Sequence, residues 1–252
     1  MPRKYDRPPL LEALCEFRFE PRAQWDWTVP GLLYERIKGD FPEKRQQNVL
    51  AIQVFPPNLP AAQQQTTSID KMQFLNREQN AIVQVGPDLL AVNQLRPYPG
   101  WESFKPAIIH KLELYCDIAK PNRIAGMTLR YLNRIDIASR EVRLEDYFMI
   151  YPRLPANVPQ TYQTFLQQVE VPYENPRGLL KMVFSPVPAE ATDATSFLVD
   201  LAFGSTRPDA IENAANWIEA VHSSIEGIFD ACFTEKTHKE VFREVLHEPS
   251  AS

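Results

Sequence analysis

A turn set between two apolar runs constrains this chain more than any other feature. Gly86-Pro87-Asp88 separates Ile82-Val83-Gln84-Val85 from Leu89-Leu90-Ala91-Val92-Asn93-Gln94-Leu95. Proline presets its own φ and aspartate tolerates turn conformations, so the two runs read as neighbouring strands joined tightly. Trp101, Phe104, Ile108, Leu112 and Tyr115 then recur at helical spacing and predict a helix from Trp101 to about Ala119. Pro106 falls close enough to its start to be tolerated. Within this region Gly86, Pro87, Asp88, Asn93, Tyr98 and Trp101 organise structure rather than perform chemistry.

Other segments follow the same two periods. Leu14 to Glu20 alternates, with Cys15, Phe17 and Phe19 on one side and Glu16, Arg18 and Glu20 on the other. A short helix is expected from Trp27 to Asp40, then strands at Asn48 to Phe55 and Lys71 to Leu75 around a loop rich in Pro, Gln and Thr. The longest strand pattern spans Gly126 to Ile137, placing Thr128, Arg130, Arg134 and Asp136 opposite an apolar face. A turn or two of helix is expected at Leu144 to Met149, and strands at Tyr162 to Val171, Leu179 to Ser185 and Phe197 to Phe203. Ile211, Ala214, Ile218, Val221, Ile225, Phe229 and Cys232 then keep one apolar stripe, with Asp209 near the helix start. Thr234 is placed to cap a more polar helix running to Leu246.

Successive strands without room for crossover helices favour antiparallel pairing. The expected fold is therefore α+β: largely antiparallel sheet packed against a few helices, with a long C-terminal amphipathic helix. Strands followed by a helix occur twice, which suggests sub-halves 1–120 and 121–247 sharing one core. No linker of glycine or serine character divides them, and no residue-level repeat is visible.

The 252 residues are 44% hydrophobic, enough to bury roughly 70–75% of the unfolded surface. A net charge of -5 argues weakly against broad binding to nucleic acid, though a local basic surface is not excluded. Twenty-three prolines against eight glycines leave little material for phosphate-cradling loops. Cys15, Cys116 and Cys232 are odd in number and sit in apolar segments, as buried free thiols of a reducing compartment would. With no leader and no long apolar run, cytoplasmic residence without a membrane is the expectation.

Catalytic patterns fail one by one. His110, His222, His238 and His247 have no metal-ligand spacing and read as surface or boundary residues. No nucleophile elbow, phosphate loop or dinucleotide fingerprint is present, and Pro87-Asp88 lacks the downstream acid and lysine of a metal-dependent nuclease. No catalytic residue, metal or cofactor is therefore assigned. Trp25, Trp27, Trp101 and Trp217 read as core anchors or helix-start packing. Asn93 and Asn133 interrupt apolar strands, where an amide satisfies backbone groups.

One constellation survives. Glu16, Arg18, Arg130, Arg134, Asp136, Lys181 and Asp200 all fall on predicted strands and would form a mixed-charge face if those strands are neighbours. Asp200 lies inside Phe197-Leu198-Val199 and Leu201-Ala202-Phe203, where a carboxylate needs a partner if buried.

Pro8-Pro-Leu-Leu-Glu-Ala-Leu-Cys-Glu-Phe-Arg-Phe19, Gly86-Pro-Asp-Leu-Leu-Ala-Val-Asn93 with Tyr98 and Gly100-Trp101, and Tyr131-Leu-Asn-Arg-Ile135 together carry a likeness. In these motifs the chain resembles a sporadically distributed family of uncharacterised prokaryotic proteins of about this length. That resemblance transfers no catalytic residues. Patchy distribution implies an accessory gene, and with it an antitoxin-like or immunity component of a conflict system. The expected function is a non-enzymatic protein that binds a protein partner. The alternatives are a small-molecule-binding or enzymatic protein using the mixed-charge face, and a nucleic-acid-binding protein. Oligomeric state is left open by the sequence.

Overall fold

Among the described residues nine strands and four α-helices follow in the order strand, helix, meander, helix, and then repeat that order. The computed structural model describes residues 3–20, 25–50, 68–205, 207, 209 and 211–245. In chain order these are β1 (Leu10–Phe19), α1 (Thr28–Ile37), β2 (Glu43–Leu50), β3 (Ser68–Leu75), β4 (Ala81–Gly86), β5 (Leu89–Leu95) and α2 (Trp101–Ala119). The second series is β6 (Ile124–Ile137), α3 (Leu144–Tyr147), β7 (Gln167–Glu174), β8 (Arg177–Val187), β9 (Thr195–Ser205) and α4 (Ala214–Ala231).

All the strands join one antiparallel sheet in the order β2-β3-β4-β5-β1-β6-β9-β8-β7. Each series opens with a central strand, and its last strand returns beside that opening strand: β5 pairs with β1, and β9 with β6. The two opening strands pair with each other, Ala13 opposite Tyr131 and Cys15 opposite Leu129, so the halves meet through backbone hydrogen bonds. The first half carries one more strand, β2, at its edge. The β4–β5 turn closes with Gly86 opposite Leu89, and Asp88 takes a φ of 56° after Pro87. A short polar side chain in the left-handed region after proline is what such a turn requires.

Strand alternation decides which face is buried. Ala13, Cys15, Phe17 and Phe19 on β1 share a side with Leu129, Tyr131 and Ile135 on β6, and all are buried. The stripes Phe104, Ile108, Leu112, Tyr115 of α2 and Ala214, Ile218, Val221, Ile225 of α4 cover that side. Phe19 stacks on Tyr115 with ring centroids 4.7 Å apart. Each large apolar side chain buried this way contributes roughly 1.5–3 kcal/mol. Among the described residues no helix is long and apolar enough to cross a membrane.

Beyond α4, residues 242–245 are fastened to residues 4–7. Asp6 and Arg7 donate backbone hydrogen bonds to Arg243 and Phe242, and Val245 donates to Lys4. The Tyr5 hydroxyl bonds His238 Nδ1 at 2.8 Å, while its ring packs edge-on to Phe242.

Several expectations need correction. The second strand starts at Glu43 rather than Asn48, because polar residues suit an edge strand that periodicity alone would reject; residues 51–55 lie outside the described residues. β7 starts at Gln167 rather than Tyr162: the Tyr162 hydroxyl bonds the Pro152 carbonyl, and Phe165 packs on Phe184 within a loop. Residue 209 does not sit in the first turn of α4, since its backbone bridges Ile124 and a 3-10 turn, Ile211–Asn213, intervenes. Thr234 does accept from the Thr237 N–H, but the following element is a π-helical turn, Thr237–Val241, and residue 246 lies outside the described residues. Trp27, 51% exposed, stands at the start of α1 rather than in the core, Cys116 is only partly buried, and His238 is buried rather than at the surface. His247 lies outside the described residues.

Candidate functional site: the open face of the sheet

Opposite the helices, the central strands present their other alternation. Glu12, Leu14, Glu16 and Arg18 of β1 lie in register with Leu132, Arg130, Thr128 and Gly126 of β6. Arg130, Leu132, Arg134 and Asp136 in turn face Ala202, Asp200, Leu198 and Ser196 of β9, and Lys181 of β8 lies beside Ala202. All seven charged residues singled out in the sequence therefore share one side of the sheet.

They are organised as three ion pairs and one outlier. Arg130 grips Asp200 in a two-pronged contact, Nε to Oδ1 and Nη2 to Oδ2, both 2.7 Å. The Asp200 side chain keeps 14% of its surface and Arg130 38%, so the carboxylate inside that apolar strand has the partner it needs and the guanidinium still meets solvent. The carboxylate raises the Arg130 pKa further, against the opposing effect of burial. Arg134 donates to Asp136 at 2.9 Å, to the Pro188 carbonyl and to the Ser196 hydroxyl, and Ser196 donates to Asp136. Arg18 pairs with Glu16 at 2.8 Å on the same strand. Lys181 is exposed opposite Glu170 on β7 and stands apart from these pairs.

The first half of the face carries a ladder that the sequence did not reveal. Gln73 Nε2 donates to Gln84 at 3.2 Å, Gln84 Nε2 donates to Asn93 at 2.8 Å, and Asn93 Nδ2 donates to Glu12. Asn93 thus bonds the side chains of Gln84 on β4 and Glu12 on β1 rather than the strand-end backbone. Asn133 conforms to the backbone expectation, donating to the Tyr131 and Val199 carbonyls. The parity of Glu12 with Glu16 was the available signal for the ladder's end; the two glutamines carry none.

On the helix side, α2 and α4 meet at a second polar cluster. Trp101 stacks on His222 with centroids 3.9 Å apart, and its indole N–H and Lys105 both donate to Glu219. Tyr131 bonds His222 Nδ1 at 2.9 Å, while Tyr98 packs edge-on against Phe104 and Tyr131. Burial pushes the His222 imidazole down to about 4, partly opposed by Glu219. Burial likewise raises the Cys15, Cys116 and Cys232 thiols, which makes all three poor nucleophiles.

Chemically, the β1–β6–β9 part of this face offers contacts, whereas on β5 the same side is buried at Leu89, Ala91 and Asn93. Asp200, Asp136 and Glu16 are neutralised by arginine, and the Arg130 guanidinium, partly exposed, keeps N–H donors for a ligand oxygen. Among the described residues no group of three or more His, Cys, Asp or Glu could hold a metal ion. Among the described residues, concavities on the helix side include one of about 510 Å³ beside α1 and one of about 830 Å³ beside α3, where Arg140, Arg143 and Lys236 alternate with Glu141, Glu145 and Asp146. In comparisons with known proteins, no family profile and no curated sequence matches the chain.

Proposed function

We propose that this chain is a cytoplasmic, non-enzymatic protein that recognises a protein partner on the open face of its sheet. The carrying observation is the Arg130–Asp200 contact with its flanking pairs: a central, mixed-charge surface on which Arg130 and Arg18 are held in place yet still reach solvent, beside a more enclosed Arg134. Arginines already oriented by neighbours lose less freedom on binding. Interspersed carboxylates disfavour a polyanion, which leaves a protein surface of complementary mixed charge as the fitting partner. An accessory, antitoxin-like or immunity role in a prokaryotic conflict system is the setting that the motif resemblance favours.

The test is affinity capture from the native host with three forms: unaltered protein, Arg18→Glu/Lys181→Glu, and Glu113→Lys on the exposed face of α2. One stoichiometric protein held by the first and third forms but lost by the second is the expected result. Equal recovery by all three moves recognition off the open face. A retained metabolite without any protein, or retention of DNA or RNA that falls steeply with salt, replaces the reading.

A further inference from the structure

We infer that the cleft between α1 and the edge strand β2 is a binding site for a small apolar ligand carrying one carboxylate. The cleft has a volume of about 510 Å³, within the ordinary range for small-molecule sites. Its walls are Trp27, Tyr34, Met72 and Phe74, with Gly31 on the helix side and Lys44 on the strand side. The inference is independent of the open-face reading, because these residues lie on the opposite side of the sheet.

Three features distinguish this cleft from an ordinary surface dent. Trp27, half exposed, is propped edge-on against Trp25 with centroids 5.0 Å apart, so a large aromatic wall is held upright over the opening. Gly31 lies inside α1, where glycine weakens a helix, yet a Cβ built there meets nothing within 4 Å. No packing explains that glycine; its missing side chain is room in the cleft. Among the described residues Lys44 forms no ion pair with a carboxylate. Its ammonium sits 4.2 Å from the centre of the Tyr34 ring, whose hydroxyl is anchored to the Pro42 carbonyl. A cation steered over an aromatic wall, beside apolar Met72 and Phe74, matches an apolar body with a single anionic end.

Calorimetric titration with indole-3-acetate and dodecanoate, each beside its uncharged primary amide, tests this on the intact chain. At least one acid is expected to bind, its amide at least tenfold more weakly. Lys44→Gln should weaken the acid at least tenfold and leave the amide unchanged. Gly31→Leu should abolish binding of both while its thermal unfolding shows that it stays folded. Equal affinity for acid and amide, an acid indifferent to Lys44→Gln or Gly31→Leu, or no binding of either acid at millimolar concentration overturns the inference.

Discussion

On the β3–β4–β5 side of the open face the polar side chains are amides linked in a row from Gln73 to Glu12, while on the β6–β9 side they are ion pairs built on Arg130 and Arg134. The two halves share a strand order, so the difference lies in side chains. An amide ladder costs little to desolvate, satisfies its own donors and acceptors and locks strand register. The ion pair of partly exposed Arg130 contributes less to folding than its geometry suggests, but it presents oriented donors to a visitor. The amide ladder holds shape; the ion pairs offer contacts.

The sharpest break of that comparison comes from close packing at the edge of the second half. Gly178 sits where β8 passes β9, and a Cβ there would lie 2.5 Å from both the Gly204 carbonyl oxygen and Phe203 Cε1. One of these is backbone and the other belongs to a buried ring that also packs on Tyr173. Gly178→Ala should therefore destabilise the protein by about 3 kcal/mol. Urea unfolding checks this, and a loss under about 0.5 kcal/mol would mean that the strand crossing is looser than the structure has it.

The open face itself can be dissected with two double-mutant cycles. Arg130→Met with Asp200→Leu should show a coupling of about 2 kcal/mol, and Asn93→Ala with Gln84→Ala about 1 kcal/mol. In 1 M salt, where screening acts over about 3 Å, the first coupling should shrink and the second hold. Salt-insensitive coupling in both would erase the distinction between the halves.

How much of this could be read from the chain depends on which residues carried periodicity. The α2 stripe, the Pro87-Asp88 turn and the alternation of β1 and β6 were legible because one face of each is apolar. The same alternation put Glu16 and Arg18 on one face of β1 and Arg130, Arg134 and Asp136 on one face of β6; that the two faces coincide follows from the β1–β6 pairing. Nothing in the sequence showed that Arg130 would meet Asp200, 70 positions later, because that depends on β9 returning beside β6. Edge strand β2, with Glu43-Lys44-Arg45-Gln46 at its start, has no apolar face to announce it. His222 looked like a boundary residue, and only helix packing brings it against Trp101 and Tyr131.

His222 also reports on how the halves are joined, because α2 comes from the first and α4 from the second. Its folded pKa, about 4, lies below the unfolded value of about 6.5. Between these values the unfolded chain binds more protons, so stability is full above pH 6.5 and falls as the pH drops toward 4. Glu219 and Lys105 face the ring from α4 and α2, and Tyr131 from β6, with only the carboxylate favouring the charged form. Because the ring keeps some solvent contact, the loss attributable to it is about 1 kcal/mol. Urea midpoints at pH 7.5 and 5 should diverge less in His222→Gln than in the unaltered protein; equal divergence would show that the seam does not hold the imidazole neutral.

The smallest expected effect concerns the first half's own glycine, and its sign is opposite to that of Gly178. Gly31 lies in the early part of α1 with open space where its Cβ would be. Gly31→Ala lowers the entropy of the unfolded chain and raises helix propensity without a clash, so a gain of about 0.5 kcal/mol is expected. The same substitution at two positions thus separates a glycine required by strand packing from one that packing does not require. If Gly31→Ala instead lowers the urea midpoint, the space beside α1 is spoken for by the fold, and the cleft's volume loses its meaning as room for a ligand.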